Sequence, residues 1–204
     1  MIKQVLTQTR VVPVLVVEAP ELAVPLAQAL IAGGLSCLEI TLRTPAALEA
    51  VKAIASELTG AFVGVGTVLG RDQLEQSKAA GARFVVSPGF TEDLAKAAAD
   101  LELDLLPGVA TASDVMRALA AGHDCLKFFP AEQAGGIAVL RALSGPFPQV
   151  RFCPTGGITP ESASQYLALD NVVAVGGSWL APAEAIAARD WPRIEALARA
   201  AAGL

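Results

Sequence analysis

The chain has 204 residues, of which 53% are apolar and 17% charged, and its 15 Lys and Arg against 20 Asp and Glu leave a formal net charge of −5. This composition is too apolar for disorder, and the length allows a sizeable core. The acidic balance argues against a duplex nucleic-acid surface, and the single histidine, His123, excludes a multi-histidine metal site within the chain.

Cys37, Cys125 and Cys153 stand in apolar runs without C-x-x-C spacing. They read as buried thiols in a reducing compartment rather than as a disulfide framework. No stretch reaches the roughly 18 apolar residues of a membrane span. The run Val11–Val17 is too short and contains Pro13. A soluble, cytoplasmic protein that binds neither membrane nor nucleic acid is expected.

Ile2–Thr9 reads as a short amphipathic helix. After it, eight runs rich in β-branched residues follow in order: VVPVLVV, CLEITL, AFVGVGTV, RFVVSPG, LDLLPGVA, CLKFFPA, VRFCPTGG and VVAVGGSW. Between them lie stretches of helical period, such as LAVPLAQALIAGG, AALEAVKAIASEL and DLAKAAAD. The runs are continuously apolar, as parallel strands covered on both faces are. The pattern predicts an α/β fold, a single (β/α)₈ TIM barrel over 1–204 with a short N-terminal helix. A doubly wound sheet is the alternative, with fewer strands at this length and a longer crossover where the strand order reverses. No linker or charge block divides the chain, so one domain is expected.

In such a barrel the chemistry sits where strands end. Along Cys37–Thr44, Glu39, Thr41 and Arg43 share one face by strand period, and Leu38, Ile40 and Leu42 share the other. The polar face is expected to point inward. An inward carboxylate and guanidinium form either a structural ion pair or an acid/base with an anion anchor. Of five lysines, only Lys127 lies in an apolar strand run. Burial disfavours an ammonium ion, and a neutral amine is a nucleophile toward carbonyls. The competing reading is a lysine whose stem packs while its head reaches water. Phe129 shares the face of Lys127 and would keep the site dry. Thr155-Gly156-Gly157 and Gly176-Gly177-Ser178 end the last two runs, where a barrel binds phosphate on backbone N–H groups. Gly64-Val65-Gly66 opens a G-x-G-x-x-x-G pattern, which is not the dinucleotide spacing, so Thr67 reads as an inward hydroxyl at a strand end. Ser87-Pro88-Gly89 is a rigid turn, and His123 precedes its strand at the opposite end from the site.

The motifs LEITLRT, VGTVL, SPG, LPGVAT, KFFPAE, GPFPQVRFCPTGGI and GGSWL occur in this order. Together they resemble the 2-keto-3-deoxy-6-phosphogluconate (KDPG) and 4-hydroxy-2-oxoglutarate (KHG) aldolase family over nearly the whole chain after about residue 10. The resemblance implies a class I aldolase in a (β/α)₈ barrel, a homotrimer, that needs no cofactor or metal. It implies that Lys127 is the Schiff-base lysine and Glu39 the general acid/base. It implies that Arg43 and Thr67 hold the pyruvyl carboxylate and that Thr155 contacts the substrate near the cleaved bond. Phe129 and Pro88 would wall the pyruvate pocket, and Gly156, Gly157 and Ser178 would bind the phosphate. Ile40 and Phe90 are conservative departures, and Val17–Glu21 is acidic where some relatives are basic. The substrate expected is a phosphorylated 2-keto acid cleaved to pyruvate and glyceraldehyde 3-phosphate. Two competitors share the glycine loops: a non-covalent isomerase or synthase, and a non-catalytic sugar-phosphate binder.

Overall fold

The apolar runs fold as parallel strands separated by helices, and the computed structural model describes residues 2–204. The strands are β1 (Val11–Leu15), β2 (Cys37–Thr41), β3 (Phe62–Gly66), β4 (Phe84–Val86), β5 (Asp104–Leu106), β6 (Gly108–Val109), β7 (Cys125–Phe128), β8 (Arg151–Pro154) and β9 (Val175–Gly177). The helices are α1 (Ile2–Thr9), α2 (Ala23–Ala32), α3 (Ala47–Glu57), α4 (Arg71–Ala79), α5 (Glu92–Asp100), α6 (Ala112–Ala120), α7 (Gly136–Ser144), α8 (Pro160–Leu167), α9 (Ala183–Ala187) and α10 (Trp191–Ala202). Helix α1 has the bounds its sequence predicts. The other expected runs overshoot their strands by one to three residues at an end, because their last residues turn toward the next helix.

One expectation is corrected. The run LDLLPGVA is two strands rather than one, so nine replace eight. Pro107 has no N–H to give to a ladder. Its carbonyl still accepts from the Lys127 N–H at 2.9 Å.

All strand pairs are parallel. A six-stranded sheet runs β5-β4-β3-β2-β1-β9, and a three-stranded sheet runs β6-β7-β8. Only Pro107 separates β5 from β6. Isolated bridges join Phe152 to Val172 and Thr155 to Gly176. The result is a curled parallel sheet with helices on its outer face.

Side chains alternate across this sheet, which sorts the core in two. Leu38, Ile40, Val63, Val65, Val85, Leu105, Leu126 and Phe152 pack outward with Leu26, Leu30, Val51, Ile54, Leu74, Val115 and Ile194 of the helices. Each such side chain, fully buried, contributes about 1.5–3 kcal/mol. Val12, Cys37, Phe84, Val86, Leu106, Cys125, Cys153 and Ala174 pack inward, with Ile2 and Leu6 of α1 against them. Helix α1 therefore covers an apolar floor. The Ile2 N–H donates to Asp104 Oδ2 at 2.8 Å, and Lys3 Nζ lies 2.5 Å from Asp124 Oδ2. The Lys3 pair is half-exposed and adds at most about 1 kcal/mol.

Helix starts follow their capping residues. Thr91 accepts from the Leu94 N–H, and Thr111 with Asp114 and Thr159 with Ser162 form capping boxes. Burial alone would raise the Asp114 carboxyl, but hydrogen bonds from the Thr111 hydroxyl, the Ala110 N–H and Arg117 hold it below its ordinary value.

His123 lies beside the α1 floor, half-buried, with its ring 6.3 Å from that of Phe90. Burial pushes its pKa down, against the opposing pull of Asp124. The folded chain thus favours the neutral ring, whose stabilisation is complete above the unfolded value of about 6.5. It is lost as pH falls through the lower folded value. The melting temperature should therefore fall as the pH drops below about 6.5, and less steeply in His123→Gln, as read by calorimetry.

Candidate active site

Above the apolar floor the inward side chains become polar. Glu39 in β2 and Lys127 in β7 meet there, with Lys127 Nζ 3.1 Å from Glu39 Oε1. Their side chains are 3% and 6% exposed. The other four lysines are half-buried or exposed. The strand that carries Lys127 has apolar neighbours, and period-two alternation turns only this amine inward. A buried ion pair such as this repays its desolvation only through close geometry, and removing one partner typically costs about 3–5 kcal/mol.

The surroundings of the pair are apolar and carry no further charge. Lys127 Nζ is 5.3 Å from the centroid of the Phe129 ring. Cys153 is the register partner of Lys127 across β8, and burial pushes its thiol well up. Cys37, two residues before Glu39, is pushed up to about 12 by burial and then by the Glu39 charge. Both thiols stay neutral, and all three cysteines are free and buried, as the sequence predicts.

Room for the Glu39 carboxylate comes from β3. A Cβ at Gly66 would lie 2.1 Å from Glu39 Oε1. The same device serves Thr155, because a Cβ at Gly176 would lie 2.3 Å from its Oγ1. The sequence reads Gly66 as a strand residue and Gly176 as part of a phosphate-binding glycine turn; the side chains they make room for come from a neighbouring strand.

A cavity of about 310 Å³ opens beside the pair, lined by Val14, Arg43, Phe129, Thr155, Gly156, Gly157 and Ser178 among others. It gathers eight of the residues singled out in the sequence, Gly176 and Gly177 included. Phe129 links it to Lys127. Gly156 and Gly157 have φ of +104° and +79°, a turn that L side chains rarely adopt. Helix α8 begins three residues beyond it.

Arg43 is placed differently from expectation. Strand β2 ends at Thr41, so Arg43 does not share an inward strand face with Glu39. It stands in the following turn, exposed, at the cavity wall. Among the described residues its guanidinium has no side-chain hydrogen bond or ion pair, so it is available to an anion. Thr41 is buried and its hydroxyl donates to the Leu15 carbonyl at 3.0 Å, a structural role.

Thr67 and Pro88 do not line the cavity. Thr67 is half-buried just after Gly66, with φ +63°, an unusual conformation for a β-branched residue. Pro88 backs onto Gly108, where a Cβ would lie 2.3 Å from the Pro88 backbone. Gly108 is itself the register partner of Lys127. His123 is remote, beside α1.

A family model described as KDPG and KHG aldolase matches residues 2–197. The chain belongs to this aldolase family. It is 52% identical over 199 residues to the KHG/KDPG aldolase of Escherichia coli K12, covering 98% of this chain and 93% of that protein. The 2-dehydro-3-deoxy-phosphogluconate aldolase of Zymomonas mobilis is 52% identical over 200 residues, covering 98% and 94%. Among solved structures, KDPG aldolase from Legionella pneumophila, with pyruvate captured as a covalent carbinolamine, superposes with TM-score 0.96. It is 46% identical, covering 98% of this chain and 97% of that one. The Zymomonas mobilis enzyme with 3-phosphoglycerate gives a TM-score of 0.94 at 52% identity, covering 98% and 94%. These relatives share the α/β fold and its curled parallel sheet, and they are carbon–carbon lyases.

Because Gly66 makes room for Glu39, Gly66→Ala forces that carboxylate to move. Misplacing a reacting group by about 1 Å can cost about 10²-fold in rate. Gly66→Ala should lower the cleavage rate by about that factor while the far-ultraviolet circular dichroism stays native.

Proposed function

We propose that this chain is a class I aldolase that cleaves 2-keto-3-deoxy-6-phosphogluconate reversibly to pyruvate and D-glyceraldehyde 3-phosphate, with 4-hydroxy-2-oxoglutarate as a second substrate, giving pyruvate and glyoxylate. The observation that carries this reading is the buried Lys127–Glu39 contact at 3.1 Å. A lysine held against a carboxylate can pass its proton across that contact. The amine so formed is a nucleophile.

The chemistry then follows. Lys127 Nζ adds to the C2 ketone, and loss of water gives a protonated imine. A base removes the C4 hydroxyl proton as the C3–C4 bond breaks. The bonding pair flows into the imine, leaving an enamine, and glyceraldehyde 3-phosphate departs. The enamine is protonated at C3, and water hydrolyses the imine to release pyruvate and free Lys127. Glu39, hydrogen-bonded to Nζ, is the acid/base for these transfers, directly or through a water. The imine is itself the electron sink, so the scheme calls for no metal or organic cofactor.

The other roles combine position with what the family resemblance implies. Arg43, on the cavity wall, offers a planar, bidentate grip on the C1 carboxylate, and the resemblance implies that Thr67 joins it. The Thr155 hydroxyl contacts the substrate near the cleaved bond. Phe129 walls the pyruvate end, and the resemblance implies Pro88 as a second wall. Gly156, Gly157 and Ser178 take the phosphate on N–H and hydroxyl donors. One domain over 1–204, closed as a (β/α)₈ barrel, is the arrangement we favour. The single-residue gap at Pro107 and the bridges from β8 toward β9 support closure. A homotrimer in the cytoplasm is the assembly and setting that the family resemblance implies.

Incubation with pyruvate and borohydride, followed by peptide mass mapping, tests the reading. One irreversible adduct on Lys127 is expected, and no adduct in the wild-type chain overturns it. Lys127→Ala should abolish turnover. Glu39→Gln should lower kcat by roughly 10²–10⁴, the usual span for losing a general acid/base. A kcat within a few-fold of wild type would move the proton work to another group.

A further inference from the structure

We infer that Gln133 is a further substrate-contacting residue, a hydrogen-bond donor to the phosphate that sets the preference for phosphorylated substrates. The inference rests on the aldolase reading and deepens it. Gln133 is exposed and lines the same cavity as Gly156, Gly157 and Ser178. Its Nε2 lies 3.5 Å from where a Cβ on Gly157 would stand. Among the described residues its amide has no hydrogen-bond partner.

Charge explains why such a donor matters. The substrate carries a carboxylate at one end and a phosphate at the other. Arg43 is the only cation among the cavity's lining residues, and the scheme assigns it to the carboxylate. The phosphate must then be held by neutral donors. A primary amide supplies two N–H groups and no net charge.

The neighbouring carboxylate is kept out of this subsite. Glu132 does not line the cavity. Its Oε1 accepts from the hydroxyl of Tyr166, a fully buried residue of α8, at 2.5 Å. Its N–H donates to the Gly156 carbonyl at 3.1 Å, and the Ala131 N–H donates to the Thr155 carbonyl at 2.8 Å. The segment that carries Gln133 is thus tied to the Thr155–Gly157 turn, so the amide and the turn move as one unit.

The test is aldol addition of pyruvate to D-glyceraldehyde 3-phosphate and to D-glyceraldehyde, with kcat/KM measured for each aldehyde. Loss of one hydrogen bond to a charged group should reduce the preference for the phosphorylated aldehyde about tenfold to a hundredfold in Gln133→Ala. The change should appear in KM rather than kcat. Gln133→Glu should reduce the preference further, because it places a carboxylate against the phosphate. An unchanged preference in both variants, or an equal fall with both aldehydes, overturns the assignment. Borohydride trapping of pyruvate on the same samples separates the two readings. No adduct on wild-type Lys127 overturns the aldolase scheme and this inference with it. An adduct with unchanged preference overturns Gln133 alone.

Discussion

A lysine and a carboxylate buried against each other, deep between parallel strands, are the constraint around which this chain is arranged. Two charges out of water cost several kcal/mol each, and their attraction returns that only at short range. The 3.1 Å contact between Lys127 and Glu39 meets this condition. It also leaves the pair poised. Moving one proton from nitrogen to oxygen removes both charges, so the neutral amine is within reach without help from solvent. In the proposed scheme a carbonyl that arrives at that moment is captured, and the carboxylate keeps the proton that the later steps need.

The rest of the interior serves that pair. Below it lie Cys37, Cys125, Cys153, Phe84 and Leu106, closed from solvent by Ile2 and Leu6 of α1. This floor offers no competing charge, since burial holds all three thiols neutral. Beside it β3 narrows to Gly66, and β9 narrows to Gly176 opposite Thr155. Bare backbone at these two points lets a polar side chain stand where an alanine would evict it. The outward faces of the same strands are packed against helices by aliphatic side chains, so the position of the pair is set by the main core rather than by a mobile loop.

Much of this was legible in the chain. Lys127 stood out because it alone of five lysines lies in an apolar run, and Glu39 because period-two alternation separates it from Leu38 and Ile40. Both signals are local, and burial follows from them directly. Arg43 shows where that rule fails. Strand alternation ends at Thr41, and two residues on the chain has already turned, so the guanidinium that the period places inward is exposed at the cavity wall. Pro107 shows a second limit: an apolar run hides a break that only the missing N–H creates. Tyr166 and Glu132 are 34 residues apart and meet between a loop and a helix. No periodicity reports such a contact. Gln133 follows a recognisable motif, but its place beside Gly157 depends on that same loop packing.

The distribution of charge in the proposed site follows from what catalysis can use. The phosphate is remote from the C3–C4 bond and does not change during its cleavage. Interactions there bind substrate and transition state equally, which lowers KM without raising kcat. A second arginine at the phosphate end would strengthen such uniform binding and hold the product aldehyde phosphate as well. Neutral donors on a glycine turn, a serine and an amide give orientation with a weaker hold. In the proposed scheme the cavity's one guanidinium holds the end where the reacting ketone is attached, and that grip fixes C2 against Lys127. The strongest electrostatic contact and the chemistry thus share one end of the substrate, and the distal end is left free to release.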